Sequence, residues 1–476
     1  MRKTKNLPLI AELNTGLSAS ALFELLRNDP FCFFLDSAMD PPKLGRYSFM
    51  GSNPFLTFSS HGDKITLNKS GIIDTIKGNP FDVLGQLLEV YRLDTDNPLF
   101  PLVGGAVGYF SYDLCHFIER LPKNAIDDLH LPESYFGFYD LILANDNLTK
   151  KVFVVSTGFP ELDNIQRMKK AEDRLEEFKN RLTGASVKLI EPVYTTSVIS
   201  KSKLKGNFTH KNYVKAVEQA RRYIIDGDIF EVNLSQRFET EISITPYELY
   251  SRLRQINPAP FASYLDFGEV AIVSASPERF LRVQNNSVET RPIKGTCRRG
   301  KTPAEDRARA GELLSSAKDH AENMMIVDLE RNDLGRVCQF GTVKVTELAI
   351  LEKYPTVFHL TSTVVGRLCK GKNRIDLLKA AFPGGSITGA PKIRAMEIID
   401  ELEPTGRSIY TGSIGYLSFN GNMDLNIVIR TFIIKGKHAY FQVGGAVVYD
   451  SEPESEYQET LDKAKALVDA LNLVTK

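Results

Sequence analysis

The stretch FPGGSITGAPKIRAMEIIDELEP, residues 382–404, is the part of the sequence that decides the fold. It places glycine clusters at residues 383–386 and 389–392 directly before a charged run with helical spacing. A further cluster is Gly444–Gly445. Backbone N–H groups in such loops can bind carboxylates, because no Cβ blocks the approach. Ordinary turn formation is the simpler explanation of all three clusters, so the glycines alone do not assign a site.

Upstream of this stretch, the first part of the chain is predicted to contain strands with intervening helices. A connection rich in Ser, Thr and Lys follows at residues 187–207 and divides the chain into an N-terminal region, 1–185, and a catalytic region, 205–476. The predicted elements of the first region are strands at 31–35 and 103–110, a hairpin pairing 141–144 with 152–155, and a helix at 165–182.

In the second region Thr209 is a candidate N-cap of a helix that ends at Ile225, and a strand follows at residues 229–238. Strands and helices alternate from there to a last helix at 454–471. Alternation alone is typical of a parallel sheet with crossover helices.

Composition excludes several classes of function. Lys and Arg number 59 and so do Asp and Glu, so the net charge is zero and gives no bulk attraction to nucleic acid or anionic membranes. No apolar run is long enough for a membrane span, and the N-terminus lacks the apolar core of a signal peptide. No CxxC pair occurs, so neither a zinc site nor a disulfide framework is indicated and a reduced cytoplasmic setting fits. The cysteines are Cys32, Cys115, Cys297, Cys338 and Cys369.

Two pairs of carboxylates are candidates for binding a cation. Asp319 with Glu322, and Glu456 with Glu459, have i,i+3 spacing within predicted helices, so each pair shares one helix face. Mg²⁺ prefers oxygen ligands and is often held by one or two carboxylates together with substrate oxygens. A solvated acidic helix face explains the same spacing.

Three further side chains are candidates for chemistry. Lys294, in RPIKGT (291–296), could be a nucleophile if desolvation lowers its pKa, although most lysines are solvated surface charges. Glu278, in SPERF (276–280), is either a general acid with a pKa raised by burial or the ion-pair partner of Arg279. His359 lies in an apolar setting, where a histidine is usually a core residue.

The chain resembles the chorismate-utilizing enzymes, which include the large subunits of anthranilate synthase and aminodeoxychorismate synthase, isochorismate synthase and salicylate synthase. The resemblance implies a large α+β body, in which two antiparallel sheets pack face to face with helices outside and the active site between them. We take this implication over the parallel sheet. The matching strings cover almost all of the second region in the family's order and lie at residues 226–238, 276–280, 291–296, 321–337, 359–366, 382–404, 410–416, 423–431 and 444–467.

The resemblance also implies roles for individual residues. Glu322 and Glu459 correspond to Mg²⁺ ligands, with Asp319 and Glu456 beside them, and Glu278 corresponds to the general acid that protonates the departing C4 hydroxyl. Lys463 is either a salt-bridge partner of Glu459 or a contact of a substrate carboxylate. The residues implied to clamp the second carboxylate or to contact the ring are Tyr410, Arg430, Gly444, Gly445, Thr296 and His359. Ala446 departs from the family's usual glycine, which affects the anion contacts rather than the assignment.

Lys294 discriminates between branches of the family. Motifs of the form PIAGT are typical of the branch that aminates chorismate at C2, whereas PIKGT is typical of the branch that aminates it at C4. A lysine that attacks C2 and expels the C4 hydroxyl lets ammonia attack C4 afterwards. The resemblance further implies a separate glutamine amidotransferase subunit as the ammonia source, because no GxCxG motif surrounds any cysteine. The alternatives are C2 amination, which forms anthranilate, and a catalytically silent regulatory subunit that binds chorismate or an amino acid.

Overall fold

The protein was analysed as a computed structural model that describes residues 7–37, 39–40, 42–93, 100–184, 194–196, 204–355 and 357–475. The elements before residue 205 are β1 (Leu9–Leu13), α1 (Ala19–Phe23), β2 (Phe33–Asp36), β3 (Tyr47–Gly51), β4 (Leu56–His61), β5 (Lys64–Lys69), β6 (Ile72–Lys77), α2 (Pro80–Val90), β7 (Gly105–Phe110), β8 (Ser134–Tyr139), β9 (Leu141–Asp146), β10 (Lys151–Ser156), α3 (Asn164–Gly184) and β11 (Tyr194–Thr196).

Strands and helices alternate less regularly in the second part of the chain. Its elements are β12 (Lys205–Gly206), α4 (His210–Ile225), β13 (Glu231–Glu241), α5 (Pro246–Ile256), β14 (Phe261–Asp266), β15 (Val270–Ser276), β16 (Arg279–Gln284), β17 (Ser287–Arg291), β18 (Ile293–Arg298), α6 (Pro303–Ser315), α7 (Ala317–Gly335), β19 (Lys344–Lys353), β20 (Val357–Arg367), α8 (Arg374–Ala381), β21 (Gly389–Ala390), α9 (Lys392–Leu402), β22 (Ser413–Ser418), β23 (Met423–Asn426), β24 (Thr431–Lys435), β25 (His438–Val447), α10 (Pro453–Asn472) and β26 (Leu473–Thr475).

The described strands form two large sheets whose pairings are antiparallel. The first sheet has the order β1-β10-β9-β3-β2-β14-β15-β24-β25-β13-β12, with β21 also on β13. The second has the order β18-β20-β17-β16-β23-β22-β7-β8-β4-β5-β6, with β19 also on β20. A small third sheet pairs β11 with β26. The α+β fold implied by the resemblance is confirmed, and the parallel sheet suggested by alternation is wrong.

The core lies between the two large sheets, and a second apolar layer lies between the first sheet and its helices. Because successive side chains of a strand point to opposite faces, Phe33 and Ile272 pack in the inner core, while their neighbours Phe34 and Val273 pack with helix residues such as Leu467. Burying a side chain of this size contributes about 1.5–3 kcal/mol. This double burial explains why the central strands are apolar on both faces.

Strands from both parts of the sequence share each large sheet. In the first sheet β2 pairs with β14, and in the second β7 pairs with β22. The hairpin of β9 with β10, the N-cap at Thr209 and the last helix are as predicted. Most of the predicted connection, namely residues 187–193 and 197–203, lies outside the described residues. The division at residues 185 and 205 stays a prediction.

No helix in the described ranges is long and apolar enough to span a bilayer. The five cysteines are free thiols.

Candidate active site

Glu278 is a buried carboxyl group held at the start of β16. Its Oε1 accepts hydrogen bonds from Ser386 Oγ at 2.7 Å and from the Ile293 backbone N–H at 3.3 Å. Burial raises the pKa of Glu278 to about 7, although both hydrogen bonds and the charges of Lys294 and Arg430 oppose the rise. A carboxyl group that keeps its proton near neutral pH can act as a general acid. Its ion-pair alternative is excluded, since Arg279 pairs with Glu289 and Asp424 instead.

Lys294 lies on β18 with only 7% of its surface exposed. Its Nζ donates to Oε1 of Glu231 at 2.5 Å, and Glu231 is itself fully buried. The surface-charge interpretation of Lys294 is therefore wrong. Nearby carboxylates also include Glu322 and Glu278, which both favour its charge. The charge of Lys294 thus interacts with that of the candidate general acid and with that of one of the candidate metal ligands.

The expectation that desolvation lowers the pKa of Lys294 is wrong. Burial does act to lower this pKa, but the charge and hydrogen bond of Glu231, with the charges of Glu322 and Glu278, outweigh it and raise the pKa. A raised pKa favours the ammonium form of Lys294, so its use as a nucleophile requires that it first lose a proton.

The backbone around Glu231 is fixed by one of the glycine clusters. Glu231 begins β13 and pairs with Ala390 of β21, where Gly389 has a φ of 143°. A Cβ at Gly389 would lie 2.1 Å from the Glu231 carbonyl oxygen, so a larger residue cannot occupy this position. Asn233 Nδ2 then donates to Glu231 Oε1 at 3.2 Å and to the Ser386 carbonyl at 3.3 Å. The segment from Ser386 to Ala390 thus contacts both Glu231 and Glu278.

Thr296, His359 and Arg430 form a hydrogen-bonded row. Thr296 and His359 are register partners on β18 and β20, and Thr296 Oγ1 lies 2.7 Å from His359 Nδ1. Arg430 Nη2 lies 3.4 Å from His359 Nε2. Burial, with the charges of Arg430 and Lys463, holds the pKa of His359 well below its usual value. Because a guanidinium only donates, Nε2 of the neutral ring accepts, and Nδ1–H donates to Thr296.

Arg430 is partly buried, and no salt bridge to a carboxylate occurs for it within the described ranges. Its φ of 51° lies in the left-handed region, which costs a non-glycine residue free energy and often marks a functional position. Burial lowers the pKa of Arg430. A buried guanidinium without a protein carboxylate suits binding of a substrate carboxylate in a bidentate geometry.

Tyr410 is buried on the chain segment that follows α9. Its ring lies 5.9 Å from the Arg407 guanidinium. The Tyr213 hydroxyl donates to the Leu234 carbonyl. Burial raises the pKa of Tyr213, and the charges of Glu456, Tyr410 and Glu459 add to this rise. Gly445 of β25 pairs with that same Leu234.

Asp319 and Glu322 lie in the first turns of α7, as predicted. Ser316 caps this helix by accepting from the Asp319 backbone N–H at 3.2 Å. Burial raises the pKa of Glu322 to about 7, and the charges of Glu231 and Asp319 add to the rise. Lys318 Nζ lies 3.8 Å from Glu322.

Glu456 and Glu459 lie on α10 and face the glycine strand. A Cβ at Gly445 would lie 3.1 Å from Glu456 Oε2 and 3.5 Å from Glu459 Oε1. Glu456 accepts from Ser451 Oγ at 2.6 Å, while its Oε2 is buried without a hydrogen-bond partner. Lys463 Nζ lies 2.7 Å from Glu459 and donates to the Gly444 carbonyl at 2.9 Å. The salt-bridge role of Lys463 is therefore the one present.

The charge of Lys318 acts on both carboxylate pairs: it opposes the rise in the pKa of Glu322 and of Glu456 and helps to lower the pKa of Glu459. Within the described residues no three side chains of Asp, Glu, His or Cys form a complete metal cluster. A cation held by one or two carboxylates and completed by substrate oxygens needs no such cluster. The raised pKa of Glu322 and the unpaired Oε2 of Glu456 fit a hard divalent cation here.

The glycine loop at 383–386 is occupied by the protein itself. The Gly385 backbone N–H donates to Oε1 of Glu330 at 3.1 Å, and Glu330 is buried. This loop therefore binds an internal carboxylate in the structure. Sequence reasoning did not single out Glu330, Ser386, Asn233 or Glu231. The signal available for Glu231 was its position in the matched string at 226–238, immediately before an apolar strand.

The chain belongs to the chorismate binding enzyme family, whose model matches residues 32–469. It is a chorismate-utilizing enzyme of the anthranilate synthase and aminodeoxychorismate synthase component 1 type. It is 42% identical over 470 residues to anthranilate synthase component 1 of Acetivibrio thermocellus, which covers 97% of this chain and 93% of that protein. It is 40% identical over 434 residues to aminodeoxychorismate synthase component 1 of Bacillus subtilis, with 90% of each chain covered.

A solved structure shows the same architecture. The crystal structure of anthranilate synthase component I from Streptococcus pneumoniae has a TM-score of 0.78 and 35% identity, with 90% of this chain and 93% of that chain covered. Relatives of both names match at similar identity, so the family and fold follow from similarity and the product does not.

Proposed function

We propose that this chain is the large subunit of an aminodeoxychorismate synthase, which converts chorismate and ammonia to 4-amino-4-deoxychorismate. The product would serve synthesis of 4-aminobenzoate and folate in the cytoplasm. The observation that carries the proposal is Lys294, a buried lysine whose Nζ donates to Glu231 and whose charge interacts with Glu278 and Glu322. A lysine in this position supplies an internal nucleophile, which amination at C2 does not need.

The proposed reaction has two displacements. The neutral amine of Lys294 attacks C2, the two ring double bonds shift, and the C4 hydroxyl leaves as water with the proton of Glu278. Ammonia then attacks C4, the double bonds shift back, and the C2–N bond breaks to release the lysine as a neutral amine. The ammonium group of the product gives one proton to the Glu278 carboxylate, which restores the acid. Each step is allylic, and the enolpyruvyl group is retained.

Binding of chorismate would use charges at both ends of the site. Arg430, with no carboxylate partner of its own within the described residues, would take one substrate carboxylate, aided by Tyr410 and the Gly444–Gly445 backbone. Glu322 and Glu459, with Asp319 and Glu456 beside them, would hold Mg²⁺. Bound there, the ion would neutralise the other substrate carboxylate. Thr296 and the neutral His359 would contact the ring.

Ammonia would come from a glutamine amidotransferase subunit. The relatives named as component 1 support a partner subunit, and no cysteine of this chain lies in a GxCxG motif. We expect the isolated chain to use ammonium salts at alkaline pH and not glutamine.

The test is the identity of the product. The purified chain is incubated with chorismate, Mg²⁺ and ammonium chloride, and the products are separated and identified by mass. We expect 4-amino-4-deoxychorismate from the wild type and a loss of several orders of magnitude in Lys294→Ala. Anthranilate as the wild-type product would instead support the C2-aminating branch, and absence of turnover would support the regulatory alternative.

A further inference from the structure

Glu231 is a buried carboxylate to which no step of the proposed reaction yet gives a role. Glu231 is fully buried. Its Oε1 accepts hydrogen bonds from Lys294 Nζ at 2.5 Å and from Asn233 Nδ2 at 3.2 Å, whereas its Oε2 is buried without a hydrogen-bond partner. A carboxylate removed from water with one oxygen unsatisfied is costly. The free-energy cost of burying this carboxylate needs an explanation beyond packing, because neutral hydrogen-bond acceptors could also hold Lys294 in place.

The proposed nucleophile creates the need for a proton acceptor. Lys294 forms an ion pair with Glu231, and the ammonium group of such a pair has no lone pair with which to attack. Water has little access to a side chain that is 7% exposed. The described group in hydrogen-bond contact with Lys294 Nζ is Glu231, and a direct hydrogen bond allows the proton to pass without an intervening water.

We infer that Glu231 is the catalytic base that takes the proton from Lys294 and so releases the amine that attacks C2. The inference rests on the proposed function, since it concerns the proposed nucleophile. The ammonium proton moves from Nζ to the Glu231 carboxylate, the pair becomes a neutral amine and a neutral acid, and the amine forms the bond to C2. When the lysine leaves in the second displacement, Glu231 returns the proton, so no external acid or base is consumed.

Burial supports this transfer. Moving the proton converts a buried ion pair into two neutral groups, and exclusion of water favours the neutral form. Substrate that covers the pair would exclude water further. The site then contains two carboxyl groups with opposite tasks, Glu278 as the donor to the leaving hydroxyl and Glu231 as the acceptor from the lysine. Asn233 and Ser386 join the two groups through adjacent backbone, which keeps their spacing fixed.

The test compares Glu231→Gln with Glu231→Asp. Glutamine keeps the size and can accept a hydrogen bond from Lys294, but it cannot take the proton. Initial rates of chorismate consumption are measured between about pH 6.5 and 9.5 at constant free ammonia. We expect kcat/KM of Glu231→Gln to fall by about 10²–10⁴-fold at neutral pH. Relative to the wild type at the same pH, its rate should then rise by about tenfold per pH unit, because the lysine of the variant must lose its proton to solvent. Glu231→Asp should keep the shape of the wild-type pH profile at a reduced rate.

A double variant separates catalysis from folding. If Glu231 acts only through Lys294, Glu231→Gln combined with Lys294→Ala should be no slower than Lys294→Ala alone. Chorismate binding by calorimetry should be retained in each variant. A Glu231→Gln rate equal to or above the wild type would overturn the inference, because the carboxylate would then only hold the ammonium form. Additive losses in the double variant would also overturn it. Anthranilate from the wild type would overturn the proposed function and the inference with it, whereas either result above, with 4-amino-4-deoxychorismate as the wild-type product, would overturn the inference alone.

Discussion

Replacing Glu278 by glutamine tests the proposed general acid directly. The amide has nearly the same size as the carboxyl group and can still accept from Ile293 N–H and Ser386 Oγ, so the local fold should persist. It has no proton to give to the C4 hydroxyl. Loss of a general acid typically costs about 10²–10⁴-fold in rate, and we expect a loss of this size in kcat/KM for chorismate.

The pH dependence follows from the pKa of Glu278, which burial raises to about 7. The acid form is required, so kcat/KM should fall as the pH rises through about 7. In Glu278→Gln this fall should be absent, because the residue no longer titrates. The test thus has a readout that a purely structural role for Glu278 would not produce.

Ser386→Ala is the matched variant. The Ser386 hydroxyl donates to Glu278 at 2.7 Å and favours the ionised form. A hydrogen bond to a charged group contributes about 1.5–3 kcal/mol, which corresponds to at most about 1–2 pH units. Removing it should raise the pKa of Glu278 and move the alkaline limb of the profile to higher pH by up to that amount.

The assay is chorismate consumption at constant free ammonia over a range of pH, with chorismate binding measured separately. A Glu278→Gln enzyme with the wild-type rate, or an alkaline limb that moves to lower pH in Ser386→Ala, would refute the assignment of Glu278 as the acid. Loss of binding in parallel with loss of rate would indicate damage to the site rather than loss of a proton donor.

Three further predictions concern binding and stability. Arg430→Lys should raise KM for chorismate by about 10-fold or more with a smaller effect on kcat, because a lysine cannot form the bidentate pair; steady-state kinetics checks this, and an unchanged KM would contradict it. Excess EDTA and Glu322→Gln should each abolish turnover while circular dichroism stays unchanged, and full activity in EDTA would exclude the Mg²⁺ site. Burial raises the pKa of Asp113 to about 7 from 3.8. Between these two pKa values the folded state therefore keeps a proton on Asp113 that the unfolded state has lost. The stabilisation that this proton contributes is lost as the pH rises through about 7. Asp113→Asn should flatten the dependence of the free energy of unfolding on pH by up to about 1.4 kcal/mol per pH unit between about pH 4 and 7; an unchanged slope in urea titrations would contradict this.

The sequence predicted helices and their carboxylate pairs well because their signals are local. Thr209 as an N-cap and the i,i+3 spacing on α7 and α10 depend on residues within one or two turns. The antiparallel architecture came from the resemblance, because strand order depends on contacts between distant segments. The alternation of strands and helices along the sequence predicted the wrong type of sheet, since the order of the elements does not show which strands pair with one another.

The electrostatics of the site could not be predicted from the sequence. The direction of the Lys294 pKa depends on Glu231, which is distant in sequence and meets it only through β13 and β18. Desolvation alone predicted a lowered pKa, and the carboxylate reversed its sign. The glycine loop at 383–386 was only one possible carboxylate binder, with turn formation as the simpler explanation, and the carboxylate that it binds, Glu330, is supplied by α7.

The pairing of β2 with β14 and of β7 with β22 affects how the chain can be made and changed. Asp36 pairs with Ala262, and Phe110 pairs with Ser413, so neither large sheet can be completed until most of the polypeptide has been synthesised. Contacts between such distant segments form slowly, because long loops must close first. The first half would leave the ribosome with unpaired strand edges, which invite association with other chains. One half of the chain could therefore not be replaced on its own by the corresponding half of a relative. In such a chimera, the strand edges of the two halves would have to match in both large sheets at once.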